Sequence, residues 1–374
     1  MMILSGEKFI VDYLICGDEA QARQNMHDIC VEQTVEFPEE LITDSDIKDN
    51  IIGHIYDFRA VSSHQWLARI GYAIETTAFD MTQLLNVLFG NFSLKPNVRI
   101  EQLQMPQAML THFYGPRFGI NGLRDRLRVF NRPLLCSALK PMGLSAYHLA
   151  DLAYKMALGG MDFIKDDHGL SNQHFAPFER RVELCATAVA RANQETGNHT
   201  LYLPNITADG ETAIKHAKWA KEMGAGGLLI SPGLTGFGTL QRLAQDDAID
   251  LPIMSHPAFL GSFVTSPTNG IAHGVLFGQF MRLAGADASV YPNWGGRFSF
   301  TKGECESIVS NCKSKMGAIR AIFPAPGGGI TMPRVPELTA VYGCDVIFLM
   351  GGGLFRHGPD LVENCRYFRA LVEK

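Results

Sequence analysis

Gly159-Gly160-Met161-Asp162-Phe163-Ile164-Lys165-Asp166-Asp167-His168 crowds a lysine, two adjacent aspartates and a histidine onto the end of a short apolar run. Met161, Phe163 and Ile164 read as an interior strand, and Gly169 and Asn172 mark the loop after it, so the charges fall where the strand emerges. In an α/β barrel that end of a strand is the rim at which active sites are built. A lysine held beside carboxylates can pair with them, act as a base, or react with CO2 to become a carbamate. The carbamate is an anionic oxygen donor of the kind that a hard divalent ion such as magnesium takes. The same residues also suit an ion pair around a solvated turn, because structural ion pairs gather charges in the same way.

Working outward, short apolar runs and longer amphipathic runs take turns from Pro133 onward. Strands are expected at 134–139, 162–165, 202–206, 227–230, 252–255, 288–291, 321–323 and 346–350, with helical material such as 146–158, 177–193 and 210–223 between them. Eight such units within about 240 residues describe a (β/α)8 TIM barrel. An open doubly wound sheet is the rival, but nothing in eight regular units signals the crossover it needs. Upstream the order changes. Phe9, Val11, Tyr13 and Ile15 alternate as in a half-buried strand, 19–31 reads as a helix, 52–58 and 66–74 as strands, 81–89 as a helix and 98–103 as a strand. That βαββαβ order is ferredoxin-like. The expected organisation is an N-terminal ferredoxin-like α+β domain over 1–125 and the barrel over 126–374, with the Pro- and Gly-punctuated 106–122 stretch as connector.

At 374 residues, with 46% hydrophobic and 19% charged residues and a net charge of -5, the chain reads as a soluble globular protein with no electrostatic attraction to nucleic acid or to an anionic membrane. No apolar stretch is long enough to span a bilayer, and Glu7 and Lys8 interrupt the start, so the expected location is cytoplasmic. The eight cysteines are scattered singly and are expected to be reduced.

Other groups fall at the same rim. Gly327-Gly328-Gly329 follows the seventh barrel strand and Gly351-Gly352-Gly353 the eighth, the two places where barrels often bind phosphate through backbone N–H groups. Each triplet alone would more simply be a tight turn. Lys140 ends the first strand, Asn205 the third and His256 the fifth. A lysine facing a second lysine has its pKa depressed and can carry protons near neutrality, whereas alone it would be a solvated strand end. Asn293-Trp294-Gly295-Gly296-Arg297-Phe298 follows strand six and has the glycines of a closing loop, although Arg297 would serve a surface ion pair equally well. Nothing in the spacing of Glu32 or Asn91 singles them out.

Taken together these motifs resemble the large chain of ribulose bisphosphate carboxylase, and within that family its non-carboxylating RuBisCO-like (type IV) branch. Leu139-Lys140-Pro141-Met142-Gly143-Leu144-Ser145 is similar to the first-strand lysine motif. Gly160 to Asp167 is similar to the segment whose lysine is carbamylated. The resemblance implies Mg2+ held through N6-carboxylysine at Lys165 with Asp167 and His168, proton transfer by Lys140, and a role for His256. It implies phosphate binding by Gly329, Gly351 and Gly352, and sugar contacts from Asn205 and Arg297. It also implies a homodimer in which Glu32 and Asn91 reach the partner's site.

Departures from the carboxylase pattern are equally pointed. His168 stands where carboxylases have a glutamate ligand, Met142 where they have a second lysine, and Pro257 where they have a phosphate-gripping arginine; Arg297 lies near the usual loop lysine. The implied substrate therefore carries one phosphate, and enolisation remains without carboxylation. Lys165-Asp166-Asp167-His168-Gly169 and Asn293 through Phe300 look most like the isomerase-containing group. The expected activity is isomerisation of a phosphorylated ketose, 5-methylthioribulose 1-phosphate of methionine salvage. The alternatives are decarboxylation of a 3-oxo sugar-acid phosphate and a catalytically silent sugar-phosphate binder.

Overall fold

A computed structural model describes residues 4–373. Its contacts fall into two units. One comprises the chain up to Tyr114 together with Leu260–Leu276 and Lys315–Ile319; the other comprises Gly115–Phe259, Phe277–Ser314 and the chain from Arg320 onward. A boundary drawn at 125/126 would cut the helix Gly119–Leu127, whereas the contacts change over before it, between Tyr114 and Gly115.

The N-terminal unit contains β1 (Lys8–Cys16), β2 (His54–Ser62), β3 (Gln65–Ala73) and β4 (Val98–Gln104), with the helices Glu19–Glu32 and Met81–Phe89 between them in the expected βαββαβ order. Phe9, Val11, Tyr13 and Ile15 of β1 are fully buried, as their alternation requires. Asp18 and Asp80 cap the two helices by accepting from the N–H groups of Gln21 and Gln83. A fifth strand, β10 (Gly270–Ile271), was not expected. It pairs parallel with β4 and completes the order β10-β4-β1-β3-β2. Two residues are too few to show a periodicity, so no sequence pattern marks it.

The second unit is an eight-stranded parallel sheet. Its strands are β5 (Leu134–Leu139), β6 (Phe163–Asp166), β7 (Leu201–Leu203), β8 (Leu228–Ile230), β9 (Ile253–Ser255), β11 (Ala288–Pro292), β12 (Phe323–Gly327) and β13 (Ile347–Leu349). Their order is β7-β6-β5-β13-β12-β11-β9-β8, and a parallel bridge between Asn205 and Leu229 joins the ends into a barrel. All of β5 is buried, as expected for a parallel strand covered on both faces. Alternate residues of the strands fill the interior: Leu134, Cys136, Phe163, Leu203, Leu229, Met254, Ala288, Val290, Phe323, Ala325 and Ile347 form one cluster. The outer helices are specified locally. Ser145 caps Ala146–Leu158, whose buried Leu149, Ala153, Met156 and Ala157 make one stripe, and Thr301 and Glu304 form a capping box at Lys302–Lys313.

The seventh barrel strand departs from expectation. It runs Phe323–Gly327 rather than 321–323, through Pro324 and Pro326. Proline removes a ladder donor, so such a run reads poorly as an interior strand. Phe323, on the opposite parity, donates to Asp287 on the β11 side, and the full register is with β11. The prolines therefore turn their missing donors toward β13, where the ladder is a single pair, Gly327 with Leu349. Among the described residues no helix is long and apolar enough to cross a membrane.

Candidate active site

The interior register of each strand decides which residues its far end delivers. Continuing Leu134 and Cys136 by twos reaches Lys140; continuing Phe163 reaches Lys165 and Asp167; Leu203 leads to Asn205, Met254 to His256, and Ile347 and Leu349 to Gly351. Five strands thus bring the expected residues to one end of the barrel. Asp166, one position off register, faces the helix layer.

Lys165 is buried, and its ammonium donates to the Asp166 carbonyl at 3.0 Å. Burial lowers its pKa to about 8, with the Lys140 charge acting in the same direction. Lys140 forms an ion pair with Asp167 Oδ2, and burial followed by the Arg297 charge holds its ammonium below the ordinary lysine range. His168 Nδ1 lies 3.0 Å from Asp167 Oδ1. The His168 and His256 rings stack with centroids 4.4 Å apart and planes 11° apart. Burial first, then the neighbouring cations, lowers both imidazoles, His256 well below its usual value. The His256 Nδ1 accepts the Ala258 N–H at 3.2 Å, so the proton of its neutral ring sits on Nε2, which is free to donate.

Asp166 is fully buried and accepts from Arg181 Nε at 3.0 Å, from the Tyr202 hydroxyl at 2.9 Å and from the Asn205 N–H at 3.0 Å. Arg181, itself fully buried, also donates to the Ala176 carbonyl at 2.7 Å. A buried carboxylate so thoroughly paired is a fixed anchor for the strand end rather than a reactive group. Arg181 and Tyr202 were not singled out in the sequence; partners on the following helix and the next strand have no local signature. Asn205 completes the bracing. Its Nδ2 donates to the carbonyls of His168 (2.9 Å) and Leu170 (2.8 Å), and its Oδ1 accepts from the N–H (3.2 Å) and hydroxyl (2.6 Å) of Thr207. One end of the amide thus holds the loop that carries Asp167 and His168, and the other the turn that follows β7.

The glycines allow close approach. A Cβ on Gly351 would lie 3.8 Å from Lys140 Cε, one on Gly352 would meet open space, and Gly329 has φ +90°. A Cβ on Gly169 would lie 2.5 Å from the Met142 methyl, so Met142 covers the turn beside His168. Arg297 lies over the Phe298 ring at 4.9 Å, and its charge reaches Lys140 and His168. Glu32 and Asn91 meet within the N-terminal unit: Asn91 Nδ2 donates to Glu32 at 2.9 Å and to Glu36 at 3.2 Å. They line a pocket of about 110 Å³ with Thr76, Gln83 and Asn86.

Among the described residues no three His, Cys, Asp or Glu side chains converge on one point. The rim offers one carboxylate, Asp167, and one imidazole, His168, beside a lysine whose lowered pKa leaves part of it as neutral amine. Only a neutral amine adds CO2, and the product supplies the missing oxygen donor. The donor set therefore fits a divalent ion once Lys165 is carbamylated.

Residues 119–363 match the family described as ribulose bisphosphate carboxylase large chain, catalytic domain. The 5-methylthioribulose-1-phosphate isomerase of Rhodospirillum rubrum is 37% identical over 96% of this chain and 95% of its own length. The 2,3-diketo-5-methylthiopentyl-1-phosphate enolase of Geobacillus thermodenitrificans is 35% identical over 82% of this chain and 75% of its own. The crystal structure of the Rubisco-like protein from Rhodopseudomonas palustris superimposes with a TM-score of 0.89 at 36% identity, covering 98% of this chain and 97% of that one. The chain belongs to the ribulose bisphosphate carboxylase large-chain family, as a member of its RuBisCO-like branch.

Proposed function

We propose that this chain is a magnesium-dependent enzyme that enolises a phosphorylated ketose, 5-methylthioribulose 1-phosphate, and returns it as an isomer. The observation that carries the reading is the meeting of Lys140 with Asp167 beside His168 and buried Lys165 at the strand ends of a RuBisCO-like barrel. Carbamylated Lys165, Asp167 and His168 would hold the ion. Bound there, it supplies positive charge that polarises a ketone oxygen and stabilises the enediolate.

The protein's own groups do the rest. Lys140, with its lowered pKa, takes the proton from the carbon beside the ketone and returns it to the neighbouring carbon. Neutral His256 donates from Nε2 to a substrate oxygen without becoming charged. Gly329, Gly351 and Gly352 present backbone N–H groups to the single phosphate, and Arg297 covers the sugar. Asn205 and Asp166 keep the metal loop in place. Free thiols at all eight cysteines suit a reducing cytoplasm. The enzyme acts as a homodimer in which Glu32 and Asn91 complete the partner's site.

A second reading, enolisation of a diketo sugar phosphate without isomerisation, draws on the relatives named as enolases. Incubation with magnesium, bicarbonate and a panel of ketose and diketo monophosphates in D2O, followed by proton and phosphorus NMR, separates the two. Deuterium uptake with an isomeric ketose supports the first and an enol product from a diketone the second. CO2 release would instead indicate decarboxylation, and binding without exchange a silent protein.

A further inference from the structure

The loops that follow β11, β12 and β13 interlock, backbone against backbone. A Cβ on Gly296 would lie 2.6 Å from the Gly328 carbonyl oxygen, and one on Gly329 would lie 2.5 Å from Gly296 Cα. A Cβ on Gly353 would meet the Ile330 carbonyl at 2.9 Å. Contacts below 3.0 Å leave no room for a side chain, so these glycines are what lets the loop bearing Arg297 rest directly on the turn after β12.

One side chain ties the two turns together. Arg334, at the end of the short turn Met332–Arg334, donates from Nη1 to the Trp294 carbonyl at 3.0 Å and to the Gly329 carbonyl at 3.2 Å. Its guanidinium lies over the Trp294 ring at 5.4 Å, and Glu337 sits 3.5 Å from Nε. Because a trans peptide is planar, directing the Gly329 carbonyl toward Arg334 fixes the opposite direction of the Ile330 N–H. Arg334 thus sets both the orientation of a peptide in the glycine turn and the path of the loop three residues before Arg297.

We propose that Arg334 is a positioning residue that couples anion binding at the Gly328–Gly329 turn to the placement of the Arg297 loop. This rests on the reading of that turn as the phosphate site. A phosphate drawn to the turn stiffens peptides that Arg334 shares with the loop, so binding and loop placement become one event.

The test measures inorganic phosphate affinity by calorimetry and the rate of tryptic cleavage after Arg297 with and without phosphate, for the wild type, Arg334→Met, Arg334→Lys and Gly296→Ala. Wild type is expected to bind phosphate and to lose cleavage by on the order of tenfold when it does. Arg334→Met is expected to lose that protection, and KM for the phosphorylated ketose to rise more than kcat falls. Arg334→Lys, with a single compact ammonium in place of the fork, is expected to restore little. Gly296→Ala breaks the same coupling from the loop side with Arg334 intact, so it decides the matter if Arg334→Met does not fold. Equal phosphate-dependent protection in wild type and the folded variants overturns the inference and leaves the phosphate site standing. Absence of phosphate binding and protection in wild type removes both.

Discussion

The two ends of the barrel use the same residue types to opposite effect. Where the strands begin, charges are saturated. Arg132 grips Asp162 at 2.7 and 2.8 Å while Asp162 also accepts the Leu135 N–H, Arg124 reaches Asp345 and three carbonyls, and Asp287 accepts from Phe118, Gly119 and Ile253. Where the strands end, Lys165 has one carbonyl, His256 one N–H, and Lys140, His168 and His256 all titrate below their ordinary values. Complete pairing makes a charge structural; incomplete pairing at the rim leaves it open to a proton or a ligand.

The sharpest way to break this contrast is at Lys165. Lys165→Ala should cut turnover by about ten-thousandfold, equivalent to about 5.5 kcal/mol of barrier, with no fall in melting temperature. A protein that unfolds instead would make Lys165 a structural residue. At the opposite end, Arg132→Met strands Asp162 without its guanidinium. Urea titration should show a loss of about 3–5 kcal/mol, while kcat of the folded protein stays within about twofold.

Asp287 sharpens the comparison through pH. Burial raises its carboxyl from 3.8 to about 6 against the pull of three N–H donors and Arg320. In that window the folded chain keeps a proton that the unfolded chain has released. Its contribution is thus present at low pH and is lost as pH rises through about 6, a change on the order of 2–3 kcal/mol. Asp287→Asn should remove this slope from stability measured between those values; an unchanged slope would mean that the charged form is held as well folded as unfolded. The smallest effect concerns carbamate formation on the metal-free protein. Since only neutral Lys165 reacts, the initial rate of carbon-13 adduct formation, absent in Lys165→Ala, should rise about tenfold between pH 7 and 9 at constant CO2, reaching half its maximum near pH 8.

Much of this was legible in the chain. Strand and helix order could be read because the alternation of β1, the unbroken buried run of β5 and the apolar stripe of Ala146–Leu158 are all local patterns. The inward register of Lys140, Lys165, Asn205 and His256 follows from the same period of two. What the sequence conceals is pairing at a distance: Arg181 with Asp166, and Arg334 with two carbonyls, depend on packing that no spacing records. Proline hid β12 because its missing donors signal a break unless the neighbouring ladder is known to be short.

The passage of the chain from β9 out to β10 and back has a consequence for biosynthesis. The open edge of β4 emerges from the ribosome long before Gly270 and Ile271, which pair with its Arg99 and Ile100. Until then the nascent N-terminal sheet exposes a row of unpaired amide and carbonyl groups, an invitation to pair with another chain. Truncated polypeptides ending near Tyr114 should therefore be captured by chaperones or precipitate, however regular their first four strands.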